Sequence, residues 1–235
     1  MIKTKCWVVE LGSVDYRTAL DLQARLVTLR RQSRIPNTLL LLEHPHTYTV
    51  GSRADLSNLL LSRKEMVGRG IRLFTVDRGG EITYHGPGQV VGYPIMRIGG
   101  IPGIRDYLRG LEDVLIKTIS DFNVRAERLP GYPGVWFGLE KVAAIGLRIT
   151  RGISKHGFAL NVSTDLSFFE GIIPCGIHDK GVTSLSEILG REVPISLVQK
   201  SVIKHFGAVF NLDLVHMQKE ALLELGIQDD QAAAV

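Results

Sequence analysis

The sequence predicts a single α+β domain in which a mixed or antiparallel β-sheet is covered by helices. Three segments carry apolar residues at helical spacing, and five others have the composition of strands. Two of the predicted strands are separated only by Arg151-Gly152, which predicts a hairpin. Neighbouring strands without an intervening helix, together with long helices elsewhere, favour this class over a regular β-α alternation.

The three helices are predicted from apolar stripes. The first covers residues 16–34 and follows Asp15, whose side chain can cap the helix. The second covers residues 104–122. The third covers residues 195–209, and we place Pro194 at its first helical position, where the missing N–H costs little. The strands are predicted at residues 38–43, 71–76, 89–96, 142–150 and 153–162.

Composition indicates an ordinary globular protein. The 235 residues are 45% hydrophobic and 22% charged, so a core can form without a disulfide or metal to hold it. We find no internal repeat, low-complexity tract or linker. We therefore predict one domain over residues 1–227 and a frayed tail over residues 228–235.

Charge and hydropathy exclude several function classes. The net charge of +4 comes from scattered basic residues, which argues against nucleic-acid binding but allows attraction of an acidic protein partner. No apolar run approaches the ~20 residues of a membrane span, and the first residues lack the apolar core of a signal peptide. We expect a cytoplasmic protein with no membrane contact.

The most unusual segment is RGGEITYHGPGQ, from Arg78 to Gln89. Its four glycines and one proline indicate sharp turns and allow close approach of a ligand to the main chain. The arginine, threonine, tyrosine and histidine among them can donate hydrogen bonds, as a small-molecule pocket needs. A hairpin with surface polar residues is the plain alternative. The segment matches neither common phosphate-binding loop pattern.

A second segment, KVAAIGLR, begins at Lys141. Strand alternation predicts that Lys141 points to the same face as Ala143, Ile145 and Leu147. Taken alone, a lysine in this position is more often a surface residue than one at a pocket rim. The small residues Ala144 and Gly146 lie on the other face and leave room against the sheet.

The other candidate site residues are two cysteines and several histidines. Cys175 lies between a proline and a glycine in a predicted turn, whereas Cys6 lies in a predicted buried strand and is expected to be structural. His44 and His46 flank a proline and could wall the pocket, but without a third ligand we predict no metal site. The spacing leaves open whether His156 faces the pocket or the surface.

These segments together resemble the octanoyltransferase family, also called lipoyl(octanoyl) transferases. The resemblance runs in order from about residue 9 to residue 210. It is carried by EHPHTYTVG, RGGEITYHGPGQ, KVAAIGLRI, HGFALNV, and PCGI followed by GVTSL. It implies the fold of lipoate- and biotin-protein ligase catalytic domains, a mixed sheet with helices packed on it. The predicted elements agree with that fold.

The resemblance also implies a two-step acyl transfer without a cofactor. Octanoyl-acyl carrier protein delivers its acyl group to Cys175, and the specific lysine of a lipoyl domain then takes it as an amide. The acceptors implied are lipoyl domains of 2-oxoacid dehydrogenases and the glycine cleavage H protein. Lys141 matches the partner that activates the cysteine. The residues that match acyl-binding segments are Arg78, Gly79, Gly80, Glu81, Ile82, Thr83, Tyr84, His85, Ala144, Ile145, Gly146, Gly157, Phe158 and Ala159.

Elementary chemistry is consistent with these implied roles. A free thiol with a pKa near 8.5 is only slightly ionised at neutral pH, and an ammonium within about 4 to 6 Å lowers that pKa. Exchange of one thioester for another is nearly thermoneutral and amide formation is downhill, so ATP is not required. Backbone N–H groups near Cys175 and Gly176, or the His85 side chain, are candidate donors to the tetrahedral oxyanion.

Three alternatives stay open. An ATP-dependent lipoate or biotin ligase on the same fold would activate a free acid and would not need Cys175. A docking module for lipoyl domains or carrier proteins would have no activity at all. A close variant would move octanoyl groups between two lipoyl domains rather than from a carrier protein.

Overall fold

A large mixed sheet organises the chain. The computed structural model describes residues 3–99, 103–176 and 180–232, without the side chains of Cys175 and of residues 226–232. In chain order its strands and longer helices are β1 (Thr4–Ser13), α1 (Tyr16–Arg31), β2 (Asn37–Glu43), β3 (Thr47–Val50), α2 (Arg63–Gly68), β4 (Arg72–Thr75), β5 (Ile82–His85), β6 (Gln89–Ile95), α3 (Ile104–Ser120), β7 (Glu127–Leu129), β8 (Tyr132–Phe137), β9 (Glu140–Thr150), β10 (Ile153–Asn161), β11 (Gly181–Val182), α4 (Leu185–Leu189), α5 (Ile195–Val209), β12 (Leu212–His216) and α6 (Lys219–Ala232).

The main sheet has the strand order β12-β1-β2-β6-β10-β9-β8-β7, and β11 pairs with β9 beside this path. The pairs β12–β1, β1–β2 and β11–β9 are parallel, whereas β2–β6, β6–β10, β10–β9, β9–β8 and β8–β7 are antiparallel. A separate three-stranded sheet has the order β4-β3-β5. The sheet is therefore mixed, as predicted.

The main sheet is buried on both faces, and β2 shows why its sequence is a continuous apolar run. Leu39 and Leu41 pack in the cluster that contains residues of α3 and α5. Leu40 and Leu42 pack in the cluster that contains residues of α1. Because successive strand residues point to opposite faces, a strand with helices on both sides needs an apolar residue at every position.

The predicted helices and strands are present. Asp15 caps α1, since its carboxylate accepts the backbone N–H of Arg17 at 3.0 Å. Pro194 is the N-cap of α5 and not its first helical residue, because its ψ of 128° is extended. The segment 228–235, expected to be frayed, begins inside α6, and residues 233–235 lie outside the described part. No described helix combines the length and apolar character needed to span a membrane.

Gly88, in the turn before β6, is a position where only glycine fits. Its φ is +80°, and an added Cβ would stand 2.5 Å from the carbonyl oxygen of Ser163. We expect Gly88→Ala to lower the free energy of unfolding by about 2 to 4 kcal/mol, from backbone strain and overpacking together. Urea unfolding measures this. The matched control is Gly68→Ala at the end of α2, where a Cβ meets nothing within 4 Å. Equal stability of the two variants would contradict the assignment.

Candidate active site

A cavity lies where the Gly-rich segment 78–85 meets β9 and β10. It encloses about 490 Å³ of empty space, part of it open to solvent. Thirteen of the acyl-binding candidates line it, and Tyr84 is the one that does not. Its lining residues are Tyr16, Arg78, Gly79, Gly80, Glu81, Ile82, Thr83, His85, Tyr93, Ala144, Ile145, Gly146, His156, Gly157, Phe158 and Ala159.

Tyr84 lies on the other side of β5. Its ring stacks on Phe168 with centroids 5.2 Å apart, and its hydroxyl is 2.8 Å from Nδ1 of His46. Tyr84 belongs to the core of the small sheet. The physical reason is strand alternation, because Thr83 and His85 on either side of it face the cavity. The expected contact between Tyr84 and a substrate is therefore corrected to a packing role.

Arg78 forms a fixed wall of the cavity. Its guanidinium donates to the backbone carbonyl of Thr49 at 2.7 Å and to the Thr49 hydroxyl at 2.8 Å. The side chain is 7% exposed. Gly51 allows this arrangement, because a Cβ there would come within 2.9 Å of Nη1 of Arg78. The arginine thus ties the Gly-rich segment to β3.

The floor of the cavity is formed by small residues on two paired strands. Gly146 pairs with Gly157, and Ala144 pairs with Ala159, across β9 and β10. A Cβ on Gly146 would stand 3.0 Å from Cδ of Arg78. The low bulk at Gly146 therefore accommodates the packed side chain of Arg78. That this face also leaves space for an acyl chain stays a prediction.

A second, smaller compartment adjoins the first and contains Lys141. It shares Thr83, Ala144 and Ala159 with the larger cavity and encloses about 300 Å³ of empty space. Lys141 is 6% exposed, and its Nζ lies 4.8 Å from the centroid of the Trp136 ring. Within the described part of the chain, Lys141 is the one charged side chain that lines this compartment.

A β-bulge aims Lys141 into the compartment. Val135 of β8 pairs with Ala143, but the next residue, Trp136, pairs with Lys141, so Val142 is an extra residue in β9. Lys141 and Ala143 consequently lie on opposite faces. The prediction that they share a face was wrong, because simple alternation fails where a residue is inserted. Bulges of this kind frequently re-aim a side chain beside an active site.

The backbone of Cys175 lies in a short 3₁₀ turn, Pro174–Gly176, at the same place. Its side chain is outside the described part of the structure. Pro174 lines the compartment that contains Lys141, and Gly176 lines a groove that Lys141 also borders. Each chain neighbour of Cys175 therefore lines a space that Lys141 also lines.

Hydrogen bonds to a neighbouring loop hold this turn in place. The N–H of Ile173 donates to the carbonyl of Asn58 at 2.8 Å. The Glu81 carboxylate accepts the N–H of Asp55 at 2.9 Å and the Asn58 side-chain amide at 3.5 Å. Glu81, expected to bind substrate, thus also orients the loop that contacts the turn. The N–H of Gly176, one candidate oxyanion donor, is engaged by the carbonyl of Ile173 at 3.2 Å.

The ring of His85 is oriented by a hydrogen bond that it donates to Gln89. Gln89 Nε2 donates to the carbonyl of Tyr84, so Gln89 Oε1 is the acceptor that receives the Nδ1 hydrogen of His85 at 2.8 Å. Burial, and then the charge of His44, lower the pKa of His85 well below its ordinary value. In the neutral ring Nε2 then carries no hydrogen, so the oxyanion-donor role predicted for His85 requires a protonated ring.

His156 faces the cavity rather than the surface. It is 1% exposed, has a φ of +57°, and donates from Nε2 to the Asp77 carboxylate at 2.9 Å. Its backbone N–H donates to Gln23 of α1 at 2.7 Å. Burial lowers the pKa of His156, and the hydrogen bond to Asp77 opposes that shift. Its strained backbone lies directly before Gly157, as is common at functional sites.

His44 lies behind the cavity and does not line it. Its Nδ1 lies 2.7 Å from the carbonyl of Val14 and its Nε2 lies 2.8 Å from the hydroxyl of Tyr93. A carbonyl only accepts, so Nδ1 carries the hydrogen and Nε2 accepts from the tyrosine. Burial lowers the pKa of His44 from 6.5 to about 4. His46 instead stacks on Phe168, with centroids 4.0 Å apart.

The buried neutral state of His44 predicts a loss of stability in mild acid. A pKa that is lower in the folded state than in the unfolded state costs stability as the pH falls through 6.5 towards 4. We expect about 2 kcal/mol to be lost between pH 7 and pH 5 from this group alone. Urea unfolding at both pH values should show a smaller loss for His44→Gln. His216→Gln, which changes an exposed histidine, should keep the full loss, and equal losses in all three proteins would contradict the assignment.

Several residues that line the two cavities were not predicted as site residues, among them two tyrosines and two amides. Tyr16 and Tyr93 line the larger cavity, and Gln89 and Asn161 line the smaller one. Tyr16 was counted only as part of an apolar stripe. Asn161 donates to the carbonyl of Thr183 and accepts from Gln89, so it links the site to the segment after Cys175. An amide inside the apolar run FALNV was the available signal.

Other reactive or metal-binding groups are not found among the described residues. Burial raises the pKa of Cys6 from 9.0 to about 12, so this thiol is a structural residue of β1, as predicted. Residues 3–99, 103–176 and 180–232 contain no cluster of three or more His, Cys, Asp or Glu side chains that could hold a metal ion.

Comparison with known proteins identifies the class. A family model described as the lipoyl protein ligase A/B catalytic domain matches residues 15–207. A bi-partite lipoate protein ligase from Thermoplasma acidophilum, described with its E2 lipoyl domain, superposes with a TM-score of 0.73 over 97% of this chain and 92% of that chain. Its sequence identity of 14% supports the fold alone. The chain therefore has the catalytic-domain fold of lipoyl protein ligases.

Relatives with higher sequence identity show which family within this fold class the chain belongs to. The chain is 46% identical over 210 residues to an octanoyltransferase of Alkaliphilus metalliredigens, covering 88% of this chain and 96% of that protein. It is 48% identical over 203 residues to an octanoyltransferase of Rubrobacter xylanophilus, covering 84% and 90%. The chain belongs to the octanoyltransferase family and is an enzyme, which confirms the resemblance inferred from its motifs.

Proposed function

We propose that this enzyme moves an octanoyl group from octanoyl-acyl carrier protein through a thioester on Cys175 to the specific lysine of lipoyl domains. The observation that carries the proposal is the placement of Lys141. The lysine is buried between two spaces, one lined by Pro174 and the other by Gly176, the chain neighbours of Cys175.

The first step is acylation of the enzyme. An ammonium at Lys141 favours the thiolate of Cys175, which attacks the carbonyl carbon of the donor thioester. The new C–S bond forms to Cys175, the C–S bond to the donor breaks, and the carrier thiolate takes a proton from the Lys141 ammonium, which leaves Lys141 neutral. The acyl chain lies along the floor of small residues. Burial of seven of its carbons is worth roughly 5 kcal/mol at about 0.8 kcal/mol each.

The second step is transfer to the acceptor. The amine of the acceptor lysine attacks the Cys175 thioester, the C–S bond breaks, and an amide forms. The amine loses a proton, which neutral Lys141 can accept. We propose as acceptors the lipoyl domains of 2-oxoacid dehydrogenases and the glycine cleavage H protein. We propose a cytoplasmic location for the enzyme.

A nucleotide-free reaction tests this proposal against an ATP-dependent ligase. The enzyme is mixed with octanoyl-acyl carrier protein and an unmodified lipoyl domain, and the intact mass of the lipoyl domain is followed. The proposal expects one octanoyl group per lipoyl domain without ATP. Octanoylation that requires free octanoate and ATP would instead establish a ligase, and transfer only from a second octanoylated lipoyl domain would establish an amidotransferase.

A further inference from the structure

A wide groove along β9 adjoins the cavity assigned to the acyl chain. It encloses about 1320 Å³ of empty space open to solvent. Ile104 and Leu108 of α3 form one wall, and Tyr132 in the β7–β8 hairpin forms another. Arg53 lines it as well, and Lys180 lies over the Tyr132 ring at 5.0 Å from its centroid.

The groove exists because the pairing of β8 with β9 ends at Ala143, before the end of β9. The register between these strands runs from Phe137–Glu140 to Val135–Ala143, so the β9 residues beyond Ala143 have no partner in β8. Ile145 and Leu147 therefore border the open space. Both are packed against the α3 side of the core, which makes this part of the groove apolar.

The groove is continuous with the catalytic residues. Lys141 borders the groove and also the enclosed compartment, and Gly176 borders the groove directly after Cys175. The groove and the acyl cavity share five lining residues: Gly79, Gly80, Glu81, Ile145 and Gly146. The chain neighbours of Cys175 therefore border two different spaces, Pro174 the smaller compartment and Gly176 the groove.

The chemistry of a thioester decides what each space can hold. The carbonyl carbon has two substituents, the acyl chain and the sulfur that carries the rest of the donor. The proposed acyl transfer assigns the cavity with the floor of small residues to the chain, which leaves the groove for the sulfur-linked arm. On a carrier protein that arm is phosphopantetheine, which combines two amides, a branched apolar part and a phosphate. A groove with Ile104, Leu108 and Tyr132 and with cationic Arg53 at its edge matches this mixed character.

We propose that this groove binds the phosphopantetheine arm of the donor, with Ile104 and Leu108 against its apolar part and Arg53 towards its phosphate. The assignment rests on the proposed acyl transfer. It adds a binding site outside the acyl cavity, and it makes α3 and the β7–β8 hairpin determinants of donor selection.

Three octanoyl thioesters of increasing arm length test the assignment. Acylation of Cys175 is measured by intact mass as a function of time and concentration with octanoyl-N-acetylcysteamine, octanoyl-pantetheine and octanoyl-phosphopantetheine. We expect the second-order rate constant for octanoyl-pantetheine to be about tenfold higher than that for octanoyl-N-acetylcysteamine. We expect Leu108→Trp, which fills the groove, to remove that gain and to leave the short thioester within about twofold of wild type.

Further variants make the outcome decisive. Ile104→Ala changes a residue that is 60% exposed, so it should fold normally and lower the pantetheine rate several-fold. Arg53→Ala should slow only the phosphorylated donor. The control is Leu197→Trp, on α5 and 50% exposed, which should change none of the rates.

Equal wild-type rates with the short and long arms would overturn the groove assignment, as would a Leu108→Trp variant that slows both equally. Absence of acylation by all three thioesters would instead refute the proposed function, and the groove assignment with it.

Discussion

Replacement of Cys175 by alanine is expected to abolish the octanoylated enzyme and to lower turnover by at least about 10³-fold. The reason is that the proposed reaction has no other group to hold the acyl chain between donor and acceptor. Intact mass after mixing with octanoyl-acyl carrier protein measures the first effect, and octanoylation of a lipoyl domain measures the second.

The matched control is Cys6→Ala, the same chemical change in the other thiol. Cys6 lies fully buried in β1, so this variant should lose some stability but keep its acyl-enzyme and its turnover. If Cys175→Ala transferred octanoyl groups at the wild-type rate, the thioester route would be refuted and direct aminolysis of the donor would take its place.

Replacement of Lys141 by methionine is expected to lower the rate of Cys175 acylation by roughly 10²- to 10⁴-fold, the usual range for loss of a proton-transfer partner. Methionine keeps a similar length and an apolar stem against Trp136, so the circular dichroism spectrum should be unchanged. The alkylation of Cys175 by iodoacetamide should move to higher pH, because the thiolate loses its neighbouring charge.

Lys204→Met serves as the control for this second prediction, because Lys204 is an exposed lysine on α5 that pairs with Asp121. It should change neither acylation nor the pH profile of alkylation. If Lys141→Met slowed transfer but left the alkylation profile of Cys175 where it is in wild type, Lys141 would act on the acceptor amine and not on the cysteine.

The parts of the fold that the sequence predicts are those fixed by local pattern. The segment 38–43 is predicted as a strand, and Arg151-Gly152 predicts the β9–β10 turn; both are present. α1 begins where Asp15 can cap it. In each case the residues that determine the structure are adjacent in sequence, so pattern and propensity are sufficient.

The parts that the sequence does not predict depend on contacts between distant segments. The bulge at Val142 is set by the register of β8 against β9, and the direction of Lys141 changes with it. The hydrogen on His85 is fixed by Gln89, which is itself oriented by the Tyr84 carbonyl. β7 and β12 are short strands of three and five residues whose pattern is too weak to separate from loop. The motifs identified most of the cavity lining, but not its electrostatics.

The most direct test of the thioester route uses the isolated acyl-enzyme. Enzyme octanoylated on Cys175 is freed of donor, mixed with a lipoyl domain, and sampled by intact mass in single-turnover time. We predict that the octanoyl group leaves Cys175 and reaches one lysine of the lipoyl domain at a rate at least equal to steady-state turnover. An acyl-enzyme that persists, or that transfers far more slowly than the enzyme turns over, would contradict a role for Cys175 as the acyl carrier.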